Sequence, residues 1–381
     1  MIRALLKFIG ICAIAIIAVL LFTGTTNTPS LSYKKIDTSP LSQTAATVPA
    51  FDAAATTSAP VQAVKATTTP KKTKKAAAPL APSTPPSQAA PVPENPYPFP
   101  PVAQDALNTQ ARSALVNILC KTTGGMLRPI SGSGVIIDPR GVILTNAHVA
   151  QYVLLASSQH VNLSCFVRTG SPASGTWTAS LIYMPSQWVA EHAADIKKTR
   201  PLGTGEYDFA LLLITGTGGT TPLPSSFPYL PVETRGISRA GDPALLAAYP
   251  AEFSGGNATQ NALDASSAIT TIKQLLTFKE NTIDLISLGG VVLAQSGSSG
   301  GAVVNAWGRL VGIISTTSEG ATTAERDLRA ITLSYVNRAL EAETGQSLHE
   351  LLTKDVAVES VTFMQTKAPA LANLIIDQLS Q

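Results

Sequence analysis

From Ala106 onward the chain is built of short apolar runs separated by Gly, Pro, Asn and Ser. One series comprises Val116–Cys120, Gly134–Asp138, Gly141–Thr145, Val161–Arg168, Thr176–Met184 and Phe209–Thr215. A second comprises Ala244–Tyr249, Ser267–Lys279, Thr282–Leu288, Gly301–Asn305, Leu310–Thr316 and Leu328–Thr332. Runs of this length with turn residues between them predict strands. Two sets of about six predict an all-β fold of two six-stranded antiparallel β-barrels, over about 106–225 and 226–344. Beyond Thr344 the periodicity changes. Leu348, Leu351 and Leu352 fall at helical spacing, and Leu371–Leu379 predicts a second short helix, so 345–381 reads as a helical tail packed on the barrels.

The first hundred residues have a different texture. Arg3 and Lys7 precede an uncharged run, Phe8–Phe22. That length lies between the roughly 7–15 residues of a signal-peptide core and the roughly 20 of a membrane span. Residues 1–22 are therefore expected to form a signal anchor, with a cleaved signal peptide as the alternative. Positive charges ahead of the run favour a cytoplasmic N-terminus and an extracytoplasmic remainder. Of the 27 prolines, 15 fall between Thr23 and Gln104, and no glycine occurs between Gly24 and Gly124. So few bulky apolar residues cannot offset ordering entropy, and 23–105 is expected to be a disordered, stiff, extended linker.

Composition narrows the function. Charged residues make up 13% of the chain, hydrophobic residues 45%, and the formal net charge is +3. That charge is too small to argue for nucleic acid, and no zinc-finger or RNA-binding signature is present. Three cysteines and four histidines, without a CxxC, point to neither a disulfide scaffold nor a metal site.

Three short segments carry the chemistry. In Gly141-Val-Ile-Leu-Thr-Asn-Ala-His-Val149 a histidine ends an apolar strand. In Glu206-Tyr-Asp-Phe-Ala-Leu-Leu-Leu-Ile214 an aspartate opens one. In Gln295-Ser-Gly-Ser-Ser-Gly-Gly-Ala-Val-Val304 glycines flank a serine before another. Alone, each has a bland reading: a structural histidine, a strand-entry aspartate, a flexible turn. Together, in the order His148, Asp208, Ser299, they supply a nucleophile, a base and a carboxylate that fixes the base. The glycines would let backbone N–H groups converge beside the serine, as an oxyanion hole requires.

TNAHV with His148, YDFALL with Asp208 and GSSGG with Ser299 resemble the trypsin-like serine proteases of the chymotrypsin fold, nearest the bacterial HtrA-type branch. The resemblance runs from about Ala106 to Thr344. It includes Ala240–Pro250 as the strand opening the second barrel and Ile331–Leu340 as the closing C-terminal helix. It implies Ser299 as nucleophile, His148 as general base then acid, and Asp208 as the orienting carboxylate. The N–H groups of Gly297 and Ser299 would form the oxyanion hole, and neither metal nor cofactor would be needed. The strand ending at Ser315 would pair with substrate backbone. Leu293 matches the base of the primary specificity pocket and Thr316 and Thr317 its wall, which implies a small or medium aliphatic residue before the scissile bond.

Departures from the family pattern matter as much. Ser298 stands where digestive members have the aspartate that pairs with a newly cut N-terminus. The oxyanion loop must then be held in another way, or become ordered only with substrate. Cys120 and Cys165 lie on strands one and four, which are neighbours in this family's topology. They are expected either to form a disulfide or to be two buried thiols. Only 37 residues follow Thr344, so the PDZ domain that HtrA proteins usually carry is not expected there. The resulting expectation is a membrane-anchored extracytoplasmic serine endopeptidase acting on protein or peptide substrates. The alternative is a catalytically silent surface binding module on the same fold.

Overall fold

A computed structural model describes residues 95–380 apart from 123–126, 159, 199–202, 220–221, 253, 279–280 and 319. The expected membrane run at Phe8–Phe22 and the linker up to residue 94 lie outside the described residues. Among the described residues no helix is long and apolar enough to cross a membrane.

The chain enters through α1 (Gln104–Ser113) and builds a first set of strands. These are β1 (Leu115–Thr122), β2 (Ile130–Asp138), β3 (Val142–Thr145), β4 (Leu163–Thr169), β5 (Gly175–Tyr183) and β6 (Ala210–Thr217). Helix α2 (Ala147–Ala156) follows β3, and α3 (Ser186–His192) with a 3₁₀ turn (Ala193–Lys197) follows β5. The six strands close into an antiparallel barrel in the order β1-β2-β3-β6-β5-β4. Its β2–β3 hairpin turns at Gly141, whose φ of +89° is open to glycine at little cost.

The second set is β7 (Pro243–Ala248), β8 (Ser266–Thr271), β9 (Gln274–Leu276), β10 (Leu285–Gly289), β11 (Ala302–Asn305), β12 (Leu310–Thr317) and β13 (Leu328–Thr332), with α4 (Gly255–Asn261) between β7 and β8. The expected closed six-stranded second barrel is not what forms. Seven strands make one curled sheet in the order β8-β7-β11-β12-β13-β10-β9. The difference arises at one corner. The run read as a single strand over Ser267–Lys279 breaks at Ile272 and Lys273. The Ile272 N–H bonds the Asp242 carbonyl at 2.9 Å, beside β7, and the Lys273 N–H bonds the Ser287 carbonyl at 2.7 Å, on β10. One chain thus leaves one edge of the sheet and joins the other, so a bend and not a ladder bridges the gap.

Strands at the seam are buried on both faces, and successive residues alternate between two cores. On β7, Leu245 and Ala247 face the seam between the sheets, while Ala244, Leu246 and Ala248 face the interior of the second. On β6, Leu211 and Leu213 face the seam, and Ala210, Leu212 and Ile214 fill the first barrel. This double burial explains why PALLAA and ALLLI show no polar alternation.

After β13 come α5 (Leu333–Thr344), α6 (Leu348–Thr353), α7 (Val356–Thr366) and α8 (Ala368–Ser380). α8 brackets the predicted Leu371–Leu379 helix, whereas α7 has no counterpart in the sequence reading. The tail packs on the first barrel: Phe363, Leu371 and Ile375 join its core, and the Ser360 hydroxyl donates to the Leu181 carbonyl at 2.9 Å. At the other end, folded chain begins before Ala106. Tyr97 is buried and its hydroxyl donates to Glu233 Oε2 at 2.7 Å, so the last part of the expected linker, from Asn95, is packed.

Cys120 and Cys165 face each other across the β1–β4 register and are joined, with an S–S distance of 2.02 Å. Their sequence separation is 45 residues. Loop-closure entropy alone would assign such a crosslink about 4 kcal/mol. Removing a native disulfide costs about 2–5 kcal/mol in practice, so Cys120→Ala/Cys165→Ala is expected to lower the urea midpoint, with a steeper slope because the uncrosslinked denatured chain exposes more surface. A midpoint at the wild-type value would show that the bond contributes nothing.

Candidate active site

β3 delivers the chain to Asn146, and α2 begins one residue later. His148 therefore sits in the first turn of a helix, not at the end of a strand. First-turn N–H groups have no partner within their own helix. Here the His148 N–H is taken up by Asp208 Oδ1 at 2.9 Å. Asn146, at the N-cap, makes no side-chain cap of its own; its Nδ2 donates to the Asp208 carbonyl at 2.9 Å. Helix start and aspartate are thus locked together by backbone and side chain alike.

Asp208 is aimed by a tight turn. Gly205 and Tyr207 have φ of +90° and +56°. A non-glycine residue in that region carries local strain. The surroundings hold it there: the Tyr207 N–H donates to the Tyr335 hydroxyl at 3.1 Å, from α5, and the Asp208 N–H bonds the Gly205 carbonyl at 3.2 Å. The carboxylate is 5% exposed. Its Oδ2 accepts from His148 Nδ1 at 2.8 Å and from the Ser315 hydroxyl at 2.8 Å.

Burial would raise the Asp208 pKa, but the charge of His148 and three donated hydrogen bonds outweigh it and hold the carboxyl below its usual range. Burial would likewise lower the His148 pKa, and the Asp208 charge and hydrogen bond reverse that, leaving it raised. An ionised carboxylate can only accept. Nδ1 therefore carries the proton, and in the neutral imidazole Nε2 is left as the basic nitrogen.

Ser299 lies in the turn before β11, half-buried. Its hydroxyl points to the Ser315 carbonyl at 3.5 Å, the outer limit of a hydrogen bond, so no strong contact fixes it there. The surrounding peptides are far better held. The Ser296 carbonyl accepts from Ala251 N at 2.8 Å, and the Ser298 carbonyl from Gly301 N at 2.9 Å. A trans peptide directs its N–H opposite to its carbonyl. These two bonds therefore turn the Gly297 and Ser299 N–H groups the other way, and among the described residues neither has an acceptor. Two oriented, unpaired donors beside a serine are the elements of an oxyanion hole.

Gly297 has φ +93°, and a Cβ there would lie 2.7 Å from the Tyr249 carbonyl oxygen; Gly300 has φ +83°, and its Cβ would lie 2.0 Å from the Ser133 oxygen. Both positions require glycine. Ser298 is buried with an unpartnered hydroxyl, in keeping with the missing activation ion pair. The loop is held instead from below. Glu252 accepts from Ser296 N at 3.1 Å and pairs with Arg326, which also donates to the Ala294 carbonyl at 2.9 Å.

Leu293 is fully buried in the core of the second sheet. Ser315 spends its hydroxyl on Asp208. Thr317 is exposed, and the side chain of Thr316 lies outside the description, although its backbone pairs with Arg329 on β13. Arg326 ties two loops together, donating to the Gly320 carbonyl at 3.1 Å and the Ala294 carbonyl at 2.9 Å. Sequence reading gave Glu252, Arg326 and Asn146 no role; each stands alone in its segment, and the Glu252–Arg326 pair is 74 residues apart. Among the described residues no cluster of three or more His, Cys, Asp or Glu could hold a metal ion.

Comparison with known families places a trypsin-like peptidase domain model over residues 132–313. No curated protein matches the chain.

Proposed function

The chain carries a trypsin-like peptidase domain over residues 132–313, and from that premise we propose that it is a serine endopeptidase working through Ser299, His148 and Asp208. His148 Nε2 takes the Ser299 proton as the hydroxyl oxygen attacks a peptide carbonyl. The negative oxygen of the tetrahedral intermediate lies against the N–H groups of Gly297 and Ser299. The imidazolium, stabilised by Asp208, returns the proton to the leaving amine. A water then enters by the same route in reverse and frees the acyl group from Ser299.

The observation that carries this reading is the pair of N–H groups beside Ser299, turned away from the bonded Ser296 and Ser298 carbonyls and without an acceptor among the described residues. A silent binding module would have no use for them next to a hydrogen-bonded His–Asp pair. The sequence run Phe8–Phe22, the proline-rich linker and the Cys120–Cys165 bond support an anchored domain in an oxidising, extracytoplasmic compartment.

A fluorophosphonate probe is expected to add one phosphonyl group per chain, on the peptide containing Ser299, and not to label Ser299→Ala. Failure of the folded wild type to react would sink the proposal.

A further inference from the structure

We propose that Ser133, on β2, is a positioning residue that sets the oxyanion loop from the opposite barrel. The inference rests on the serine-protease reading above and deepens it. Ser133 is fully buried, and every polar group it has is engaged, its hydroxyl and N–H across the seam and its carbonyl within its own barrel. Its hydroxyl donates to the Gly297 carbonyl at 2.7 Å and accepts from the Tyr249 N–H at 2.8 Å. Its own N–H donates to the Ser299 carbonyl at 2.7 Å, and its carbonyl accepts from the Thr145 hydroxyl at 2.7 Å.

One side chain thus grips the peptide that joins the two oxyanion donors. The Gly297 carbonyl belongs to the 297–298 peptide, which lies between the Gly297 and Ser299 N–H groups. Fixing its plane fixes how those groups converge. The glycine at 297 makes the control necessary, because a residue with so many accessible conformations will not hold one plane unaided. The hydroxyl also receives the Tyr249 N–H at the end of β7, against which the loop packs through Ala251. Remove the hydroxyl, and the Gly297 carbonyl and the Tyr249 N–H are both buried without a partner. Each would then seek another one, and the 297–298 peptide would be left with the Ser298 N–H to Gln295 carbonyl bond, at 3.3 Å, to set its plane. Among the described residues no hydrogen bond joins Asp208 or His148 to Ser133, so their pairing should be untouched.

The rate constant for phosphorylation of Ser299 by diisopropyl fluorophosphate, measured across pH, tests this, because its phosphoryl oxygen enters the hole whatever the side-chain specificity. In Ser133→Ala the plateau rate should fall about 10- to 100-fold, less than the about 10²–10³ attached to deleting an oxyanion donor outright. The midpoint of the acid limb should stay at the wild-type pH, and labelling should still reach one group per chain. A wild-type rate in folded Ser133→Ala overturns the inference. So does partial stoichiometry with a wild-type rate in the reactive fraction, which is what a purely structural role would give, and so does a shifted midpoint. If the alanine variant does not fold, Ser133→Thr and Ser133→Cys replace it. Thr keeps a hydroxyl and Cys offers a weaker donor. Rates ordered with Thr near wild type and Cys well below support the inference; equal rates overturn it. A wild type inert to the reagent removes the serine-protease reading itself, an outcome distinct from all of these.

Discussion

Replacing Ser299 by alanine is expected to lower kcat/KM for peptide hydrolysis by about 10⁶-fold, the size of the loss when the nucleophile of a comparable triad is removed. The structure makes this a clean experiment. Ser299 is half-buried, and among the described residues its hydroxyl makes one hydrogen bond, at 3.5 Å. Losing such a contact should change stability by less than about 0.5 kcal/mol. The drop would therefore be chemical, with the urea midpoint as the control. The triad acts as a unit, so Ser299→Ala/His148→Ala should be scarcely slower than Ser299→Ala alone. Both should keep a residual rate over water from the Gly297 and Ser299 N–H groups, which the substitutions leave in place. A Ser299→Ala protein within about tenfold of wild type would mean that another group attacks.

The three segments holding the proposed catalytic residues were legible because each joins a chemical side chain to a strong strand signal or to glycines, and such combinations are rare. The strands were legible for a related reason: apolar runs bounded by turn residues leave few other readings. What escaped did so for physical causes. Helix α2 has buried residues almost all round, from Ala147 to Leu155, so it lacks the polar face that would give a helical period. The break at Ile272–Lys273 that keeps the second sheet open carries no Gly or Pro to mark it. Ser315 was assigned to the substrate strand by its backbone position, and nothing in a sequence says which way its hydroxyl turns. Ser133 stands one residue ahead of the predicted Gly134–Asp138 strand, between Gly132 and Gly134, where it reads as one more small turn residue. Its partners, Gly297 and Tyr249, are 164 and 116 residues away.

Asp208→Asn should lower kcat by about 10⁴-fold while leaving Ser299 in place. The carboxylate accepts three hydrogen bonds, from His148 N, His148 Nδ1 and Ser315 Oγ. An amide has one accepting oxygen and one donating nitrogen. If its oxygen stays on the His148 N–H, its NH₂ meets Nδ1 and draws the imidazole into the other tautomer. The proton then sits on Nε2, which can no longer take one from Ser299.

The pH dependence has a definite sign. In the wild type the Asp208 charge offsets burial and raises the His148 pKa, so the acid limb of kcat/KM should lie above the ordinary imidazole value of about 6.5. In the variant burial acts alone, and the limb should move to lower pH. Stability should follow the same pair. Asp208, with a lowered pKa, stabilises the fold above about pH 3.9 and loses that contribution as pH falls through its folded value. His148, with a raised pKa, stabilises it below about pH 6.5 and loses that contribution as pH rises through its folded value. The wild type should thus exceed Asp208→Asn in stability most between about pH 4 and 6.5. Urea midpoints across that range, with kcat/KM on the same samples, would measure both effects. An acid limb unmoved by the substitution would mean that Asp208 does not set the charge of His148.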